Sequence, residues 1–284
     1  MALAATFSAS AQQKYTVSIK NNLKSALNDV PATLDLRKLK DVKSATVIVD
    51  GKEIPYQIDD LDGNGTNDEL CFLVDLEGKQ TKTATITLSD KANDKQWKAR
   101  TFAEMVLRNP KVKEKNKHDI YLSSITIDKR TTNPYNVLHH HGVAFESELI
   151  AMRIYMDKRQ TIDLYGKFHK GLELEQTQFY TSKEQKAQGY GDDVLWVGNT
   201  FGLGAFRGWN GTEPTLLEDV KHRTQRILTT GPLRTIVEVE DNQWTITPGA
   251  EPVNATIRYT LYAGHRDVDV DVTFNKDVCA YEIS

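Results

Sequence analysis

Three consecutive histidines, His139-His140-His141, stand directly before Gly142 and form the densest group of proton-exchanging side chains in the sequence. Imidazole changes charge near neutral pH, so each can serve as acid, base or metal ligand, and each is as well suited to a structural role. Side chains alternate faces along an extended chain, which lets His139 and His141 act together. The segment Val143–Tyr155 that follows carries Glu146, Glu148, Arg153 and Tyr155. Read as one strand, it sets Glu146 and Glu148 on one face and Arg153 and Tyr155 on the other.

Two glycine-flanked stretches add further reactive groups. Ile162–Lys167 contains Tyr165 and Lys167, and Gly189–Asp193 contains Tyr190, Asp192 and Asp193. Glycine lets a backbone approach a ligand closely, although turns need it as well. Farther along come Trp196, Arg207, Trp209, Arg223, Arg226, His265 and Arg266. Guanidinium forks match carboxylates, and aromatic faces stack on sugar rings, a pairing that suits an acidic saccharide. The expected catalytic set is therefore His139, His140, His141, Glu146, Tyr190 and Asp192. The expected substrate-binding set is Arg153, Tyr165, Lys167, Trp196, Arg207, Trp209, Arg223, Arg226, His265 and Arg266.

A separate pattern spans Asp60–Glu69, where Asp60, Asp62, Asn64, Thr66 and Asp68 place oxygens at alternating positions around Gly63 and Gly65. Such a loop can wrap a structural Ca²⁺, and it can equally be a hydrated Asx turn. No other cofactor is implied.

The elements that must position these groups read as strands. Runs rich in Val, Ile, Thr and Tyr, among them Thr83–Leu88, Ile150–Tyr155, Leu195–Val197, Leu233–Val239 and Ala255–Tyr262, are bounded by Gly, Asn, Asp and Pro. In Asp267–Val272 strict alternation predicts that the valines face a core. Only Glu173–Tyr180 and Lys183–Gln188 have helical character. The expected architecture is all-β, an antiparallel β-sandwich preceded by a small N-terminal β unit. A boundary is expected in the lysine-rich stretch 111–117, giving a β unit over 14–115 and a main domain over 116–284.

Composition narrows the partners. With 39% hydrophobic and 26% charged residues the 284-residue chain is too polar for a membrane span, and its net charge of -3 supplies no basic face for nucleic acid. The start, residues 1–13, resembles the remnant of a secretory signal, so the chain is expected to be exported to the periplasm or beyond. Disulfides are permitted there, and Cys71 and Cys279 either pair or sit apart as thiols. No Gly-x-Ser-x-Gly, Gly-x-x-x-x-Gly-Lys, His-Glu-x-x-His or Cys-x-x-Cys motif occurs.

The phrases HHHGVAFESELIAMRIYMD, QTIDLYGK, GYGDDVLWVGNTFGLGAFRGW, GPLRTIVEVE and RYTLYAGHRDVDVDV resemble the secreted bacterial domain-of-unknown-function family 4861. The resemblance implies a β-supersandwich like that of galactose mutarotases and several polysaccharide lyases. It also implies a place in the breakdown of uronic-acid-containing polysaccharides and a C-terminal continuation past Ser284. No catalytic residue carries over. Three activities stay open: β-elimination on a uronate by a lyase or dehydratase, hydrolysis through a carboxylate pair drawn from Glu146, Glu148, Asp192 and Asp193, and saccharide binding without catalysis.

Overall fold

A computed structural model of the chain describes residues 13–39, 41–112, 120–198, 200, 202–246 and 249–278. The signal-like start before Gln13 and Cys279 lie outside the described residues, as does most of the lysine-rich stretch. The chain divides into two compact units, Met1–Lys98 and Ala99–Ser284. The division falls ahead of the lysine-rich stretch, because the strand Thr101–Glu104 hydrogen-bonds into the second unit's sheet.

The first unit is built from β1 (Gln13–Lys20), β2 (Leu27–Asp35), β3 (Ser44–Val49), β4 (Lys52–Ile54), β5 (Tyr56–Asp59), β6 (Glu69–Leu76) and β7 (Thr81–Ser89). They form two antiparallel sheets, ordered β1-β7-β3-β4 and β2-β6-β5. In β7 the apolar residues Ala84, Ile86 and Leu88 recur at every second position and all are buried, as a half-buried strand requires. Cys71 is buried in β6.

The second unit contains β8 (Thr101–Glu104), β9 (Ser124–Asp128), β10 (Gly142–Ser147), β11 (Ile150–Tyr155), β12 (Ile162–Gly166), α1 (Leu174–Thr177), α2 (Lys183–Ala187) and β13 (Asp192–Asp193). It continues through the hairpin β14 (Gly208–Trp209) and β15 (Pro214–Thr215), then β16 (His222–Thr230), β17 (Arg234–Trp244), β18 (Val253–Tyr262) and β19 (Asp269–Phe274). Two five-stranded antiparallel sheets result, β13-β12-β11-β10-β8 and β19-β18-β17-β16-β9. Val143, Phe145, Met152, Ile154 and Ile162 of the first pack against Val237, Val239, Ile257, Tyr259 and Leu261 of the second. The architecture is thus the expected all-β sandwich. The two short helices fall where helical character was expected.

Three local readings change. Leu195–Val197 is not a strand. In the alternating run, Val268 and Val272 rest against the core, but Val270 on the edge strand β19 is 47% exposed. Val143–Tyr155 is a hairpin rather than one strand, with Ala144 opposite Arg153. That register returns Arg153 and Tyr155 to the same face as Glu146. While the core-facing residues alternate inward, this other face of β10, β11 and β12 carries Glu146, Arg153, Tyr155, Asp163 and Tyr165.

The tight β10–β11 pairing depends on Gly142: a Cβ there would stand 1.7 Å from the Ile154 carbonyl oxygen. Gly142→Ala is expected to lower the unfolding free energy by more than the ~1 kcal/mol typical of a point mutation, read as a lower urea midpoint. An unchanged midpoint would show that the strands do not approach so closely.

Candidate active site

The polar face of β11 and β12 is organised around a buried cation. Arg153 is 4% exposed, and an unpaired guanidinium there would be prohibitively costly. The register sets Asp163 directly across from it. Arg153 Nε and Nη2 donate to Asp163 Oδ2 at 3.0 and 2.6 Å, and Nη2 also reaches Asp193 Oδ2 at 3.2 Å. Its guanidinium carbon lies 4.2 Å from the centroid of the Phe179 ring. Burial works against the charge, but Tyr180, Tyr155 and Asp163 outweigh it and hold the pKa above the usual arginine value. Tyr155 completes the cluster by donating its hydroxyl to Asp163 Oδ2 at 3.0 Å.

Arg153 Nη1 donates to the Tyr180 hydroxyl oxygen at 2.8 Å, and that same oxygen is 2.8 Å from His141 Nε2. The proton positions follow from the partners. His141 Nδ1 is 2.8 Å from the Tyr135 carbonyl oxygen, which can only accept, so Nδ1 carries the hydrogen. Nε2 then holds a lone pair and accepts the Tyr180 proton. The imidazole stacks on the Tyr135 ring at 3.7 Å, and burial lowers its pKa to about 4, keeping it neutral over the physiological range. Burial raises the Tyr180 pKa, and Arg153 acts in the opposite direction.

Strained backbone holds both partners. His141 has φ 64°, and Gln178 and Phe179, directly before Tyr180, have φ 54° and 65°. Left-handed backbone in a non-glycine residue costs roughly 1–3 kcal/mol and persists only where packing enforces it. Here the enforcing contacts are visible. Phe179 is fully buried beneath Arg153, and Gln178 caps the C-terminus of α1. The N-terminus of α1 is fixed by Glu146, whose carboxylate accepts the N–H groups of Glu173 and Leu174 and pairs with Lys167.

Tyr135, His141, Arg153, Tyr155, Asp163, Tyr180 and Asp193 line a cavity of about 330 Å³ together with Arg159, Leu195, Trp196, Val197 and Gly198. Trp196 is 94% exposed, an aromatic face with nothing of its own unit covering it. Arg159 is bound to Asp157 through Nε at 2.7 Å and Nη2 at 2.6 Å, and donates Nη1 to the Gly198 carbonyl at 3.2 Å. The Asp193 carboxyl is raised in pKa by burial first and by the neighbouring Asp163 charge second.

Of the residues expected from sequence, the cavity gathers His141, Arg153 and Trp196. His139 is half-buried with its ring edge-on to Tyr180, and His140 is sealed against Glu104, its Nε2 2.6 Å from Oε1. Glu146 and Lys167 form a buried pair that anchors α1, and burial raises the Glu146 pKa despite Lys167. Glu148 is taken by Arg100. Tyr165 is buried against Glu173 and Thr181. Tyr190 follows α2 outside the cavity lining, and Asp192 pairs with Lys186, so Asp193 rather than Asp192 faces the site.

The late arginines serve the sandwich. Arg223 is buried on Asp241, Arg226 forks between Glu238 and Glu240, and Arg207 is buried with its pKa lowered to about 10 by loss of water. Trp209 lies in the β14–β15 hairpin. His265 sits by Asp267, next to the exposed Arg266. The sequence reading missed Tyr135, Tyr155, Arg159, Asp163 and Tyr180 as site residues, and had Asp193 only as one of four candidate carboxylates for a hydrolytic pair. For Tyr155 and Asp163, alternation with Arg153 and Tyr165 was the available signal.

In the first unit, carboxylate oxygens of Asp60, Asp62 and Asp68 lie within 4.8 Å of one another, close enough to share a hard cation. Asn64 Oδ1 and Asp60 already accept backbone N–H groups from Thr66, Gly63, Asn64 and Gly65, as an Asx turn does.

Removing the Glu146 carboxylate strands Lys167 in the interior, so Glu146→Ala is expected to destabilise the fold by about 3–5 kcal/mol in denaturant melts. Destabilisation below ~1 kcal/mol would contradict an anchoring role. His141 titrates near 6.5 when unfolded and at about 4 when folded, so its contribution is present above pH 6.5 and is lost as pH falls toward 4. The melting temperature should therefore drop more steeply across that window in the wild type than in His141→Gln; parallel curves would contradict the depressed pKa.

No curated protein sequence matches the chain. Among the described residues, no helix is long and apolar enough to cross a membrane. Residues 19–284 match the model of the family described as Domain of unknown function (DUF4861), and the chain belongs to that family.

Proposed function

We propose that the chain is an exported enzyme that performs acid/base β-elimination on uronic-acid-containing saccharides, as a lyase or a dehydratase. The observation that carries this reading is the Tyr180 hydroxyl held at 2.8 Å from both an imidazole lone pair and a guanidinium N–H. A phenol so placed can relay a proton: as the Tyr180 oxygen takes the C5 proton of the uronate, its own proton passes to His141 Nε2, with Arg153 stabilising the charge that develops on the oxygen. The C5–H electron pair becomes the C4=C5 double bond, and the C4–O bond breaks. Tyr180 returns the proton to the departing oxygen, and His141 restores the hydrogen to Tyr180. Arg159 at the cavity wall, its charge shared with Asp157, keeps one further N–H on each of Nη1 and Nη2 for the C6 carboxylate, and Trp196 suits the apolar face of a ring. Two opposed five-stranded sheets are compatible with a supersandwich of the mutarotase and lyase kind.

A hydrolase reading has one observation in its favour. Asp163 and Asp193 share the Nη2 of Arg153, and Asp193 has a raised pKa. Hydrolysis would release reducing sugar with no absorbing product.

The deciding assay is ultraviolet absorbance of unsaturated uronate on incubation with pectic, ulvan-like and glucuronan oligosaccharides. We expect an absorbing product from at least one, and a Tyr180→Phe variant that stays folded, with a modest fall in melting temperature from the acceptor lost to Arg153, and with kcat reduced by about 10²–10⁴-fold. Absence of product from all three substrates, or full activity in Tyr180→Phe, would refute the reading.

A further inference from the structure

The cavity around Tyr180 does not end at Arg159. The same side chain also lines a second cavity of about 790 Å³, together with Lys158, Thr200, Glu213, Glu218 and Asp219. Gly198 of the first lining and Thr200 of the second are two positions apart in the sequence. Among the described residues Arg159 is the side chain common to both linings, and its Nη1 donates to the Gly198 carbonyl at 3.2 Å. Two concavities that share a lining side chain are spaced as adjoining positions for one elongated ligand.

Their charges differ. In the first, Arg153 and Arg159 meet an imidazole, three phenols and the carboxylates of Asp163 and Asp193, and both of these carboxylates are held by Arg153 Nη2. In the second, Lys158 is paired with Glu218, and Arg159 is paired with Asp157. Glu213 and Asp219 are then the exposed carboxylates whose charge no lysine or arginine of the second lining balances. Carboxylates accept hydrogen bonds from sugar hydroxyls and repel a second carboxylate.

We infer that the second cavity is a subsite for an uncharged sugar, so that the substrate is an oligosaccharide in which a neutral unit adjoins the reacting uronate across Arg159. This rests on the reading of the first cavity as the uronate position. It specifies the neighbour of the reacting unit, which elimination chemistry alone leaves open. It also accounts for a cavity more than twice the volume of the catalytic one beside a residue needed in both.

Calorimetry on the full chain with three probes tests it: a methyl uronoside, a disaccharide of uronate and neutral sugar, and a diuronate. We expect the mixed disaccharide to bind about tenfold more tightly than the methyl uronoside, the increment of one or two charge-assisted hydrogen bonds, and more tightly than the diuronate. Glu213→Lys should reverse the order of the two disaccharides. Equal affinity of methyl uronoside and mixed disaccharide, or preference of the unaltered chain for the diuronate, would overturn the subsite while leaving the uronate reading standing. Failure of all three probes to bind would overturn both.

Discussion

A buried guanidinium must be met by acceptors, and that demand on Arg153 shapes everything around the cavity. The antiparallel register between β11 and β12 answers part of it by setting Asp163 opposite, and the short strand β13 brings Asp193 to the same nitrogen. An aromatic floor, Phe179, meets the flat face of the cation. Two donors on Arg153 are thereby consumed by carboxylates, and Nη1 points to the Tyr180 hydroxyl. The Tyr180 phenol is thus oriented by the charge balance of the sheet face, not by a loop free to choose its conformation.

The cover over that face explains the strain found there. The chain between β12 and β13 crosses the sheet as short helices joined by turns, with Leu174 of α1 and Phe179 packed on Ala144, Ala151 and Tyr165. Bringing Tyr180 down to Arg153 takes two successive left-handed residues after α1. The cost, roughly 1–3 kcal/mol each, is offset by burying Phe179 and by tying the head of α1 to Glu146. His141 is held in the same manner, its left-handed backbone followed by the one residue that lets β10 close on β11.

The fold was legible in the sequence because sandwich strands advertise themselves: Ala84, Ile86 and Leu88 alternate, and glycines and aspartates mark the turns. The site was legible only in part. His141, Arg153 and Trp196 stood out by residue type, whereas Tyr180 lies in a stretch whose helical character gave no hint of a partner far away in sequence. Pairing Arg153 with Asp163 needs the register between β11 and β12, set by the turn over 156–161 in which Gln160 N–H donates to the Asp157 carbonyl. The clustered late arginines misled for a related reason. Arg223, Arg226 and Arg258 face carboxylates on neighbouring strands, a cross-strand matching that composition cannot separate from an anion-binding surface.

Perturbed acidity marks functional groups only where a substrate can reach them. Glu146 and His141 lie on the same hairpin region, and burial displaces both pKa values toward the neutral form. Every acceptor of the Glu146 carboxylate is used by Lys167 and the start of α1, and the residue has no exposed surface. Its shifted pKa therefore records an anchor. His141 is almost as deep, yet its partner Tyr180 borders an open cavity with a cation on one side and an exposed indole at the mouth. The same desolvation that locks one group in place leaves the other a neutral base beside a phenol, and access to solvent separates the two roles.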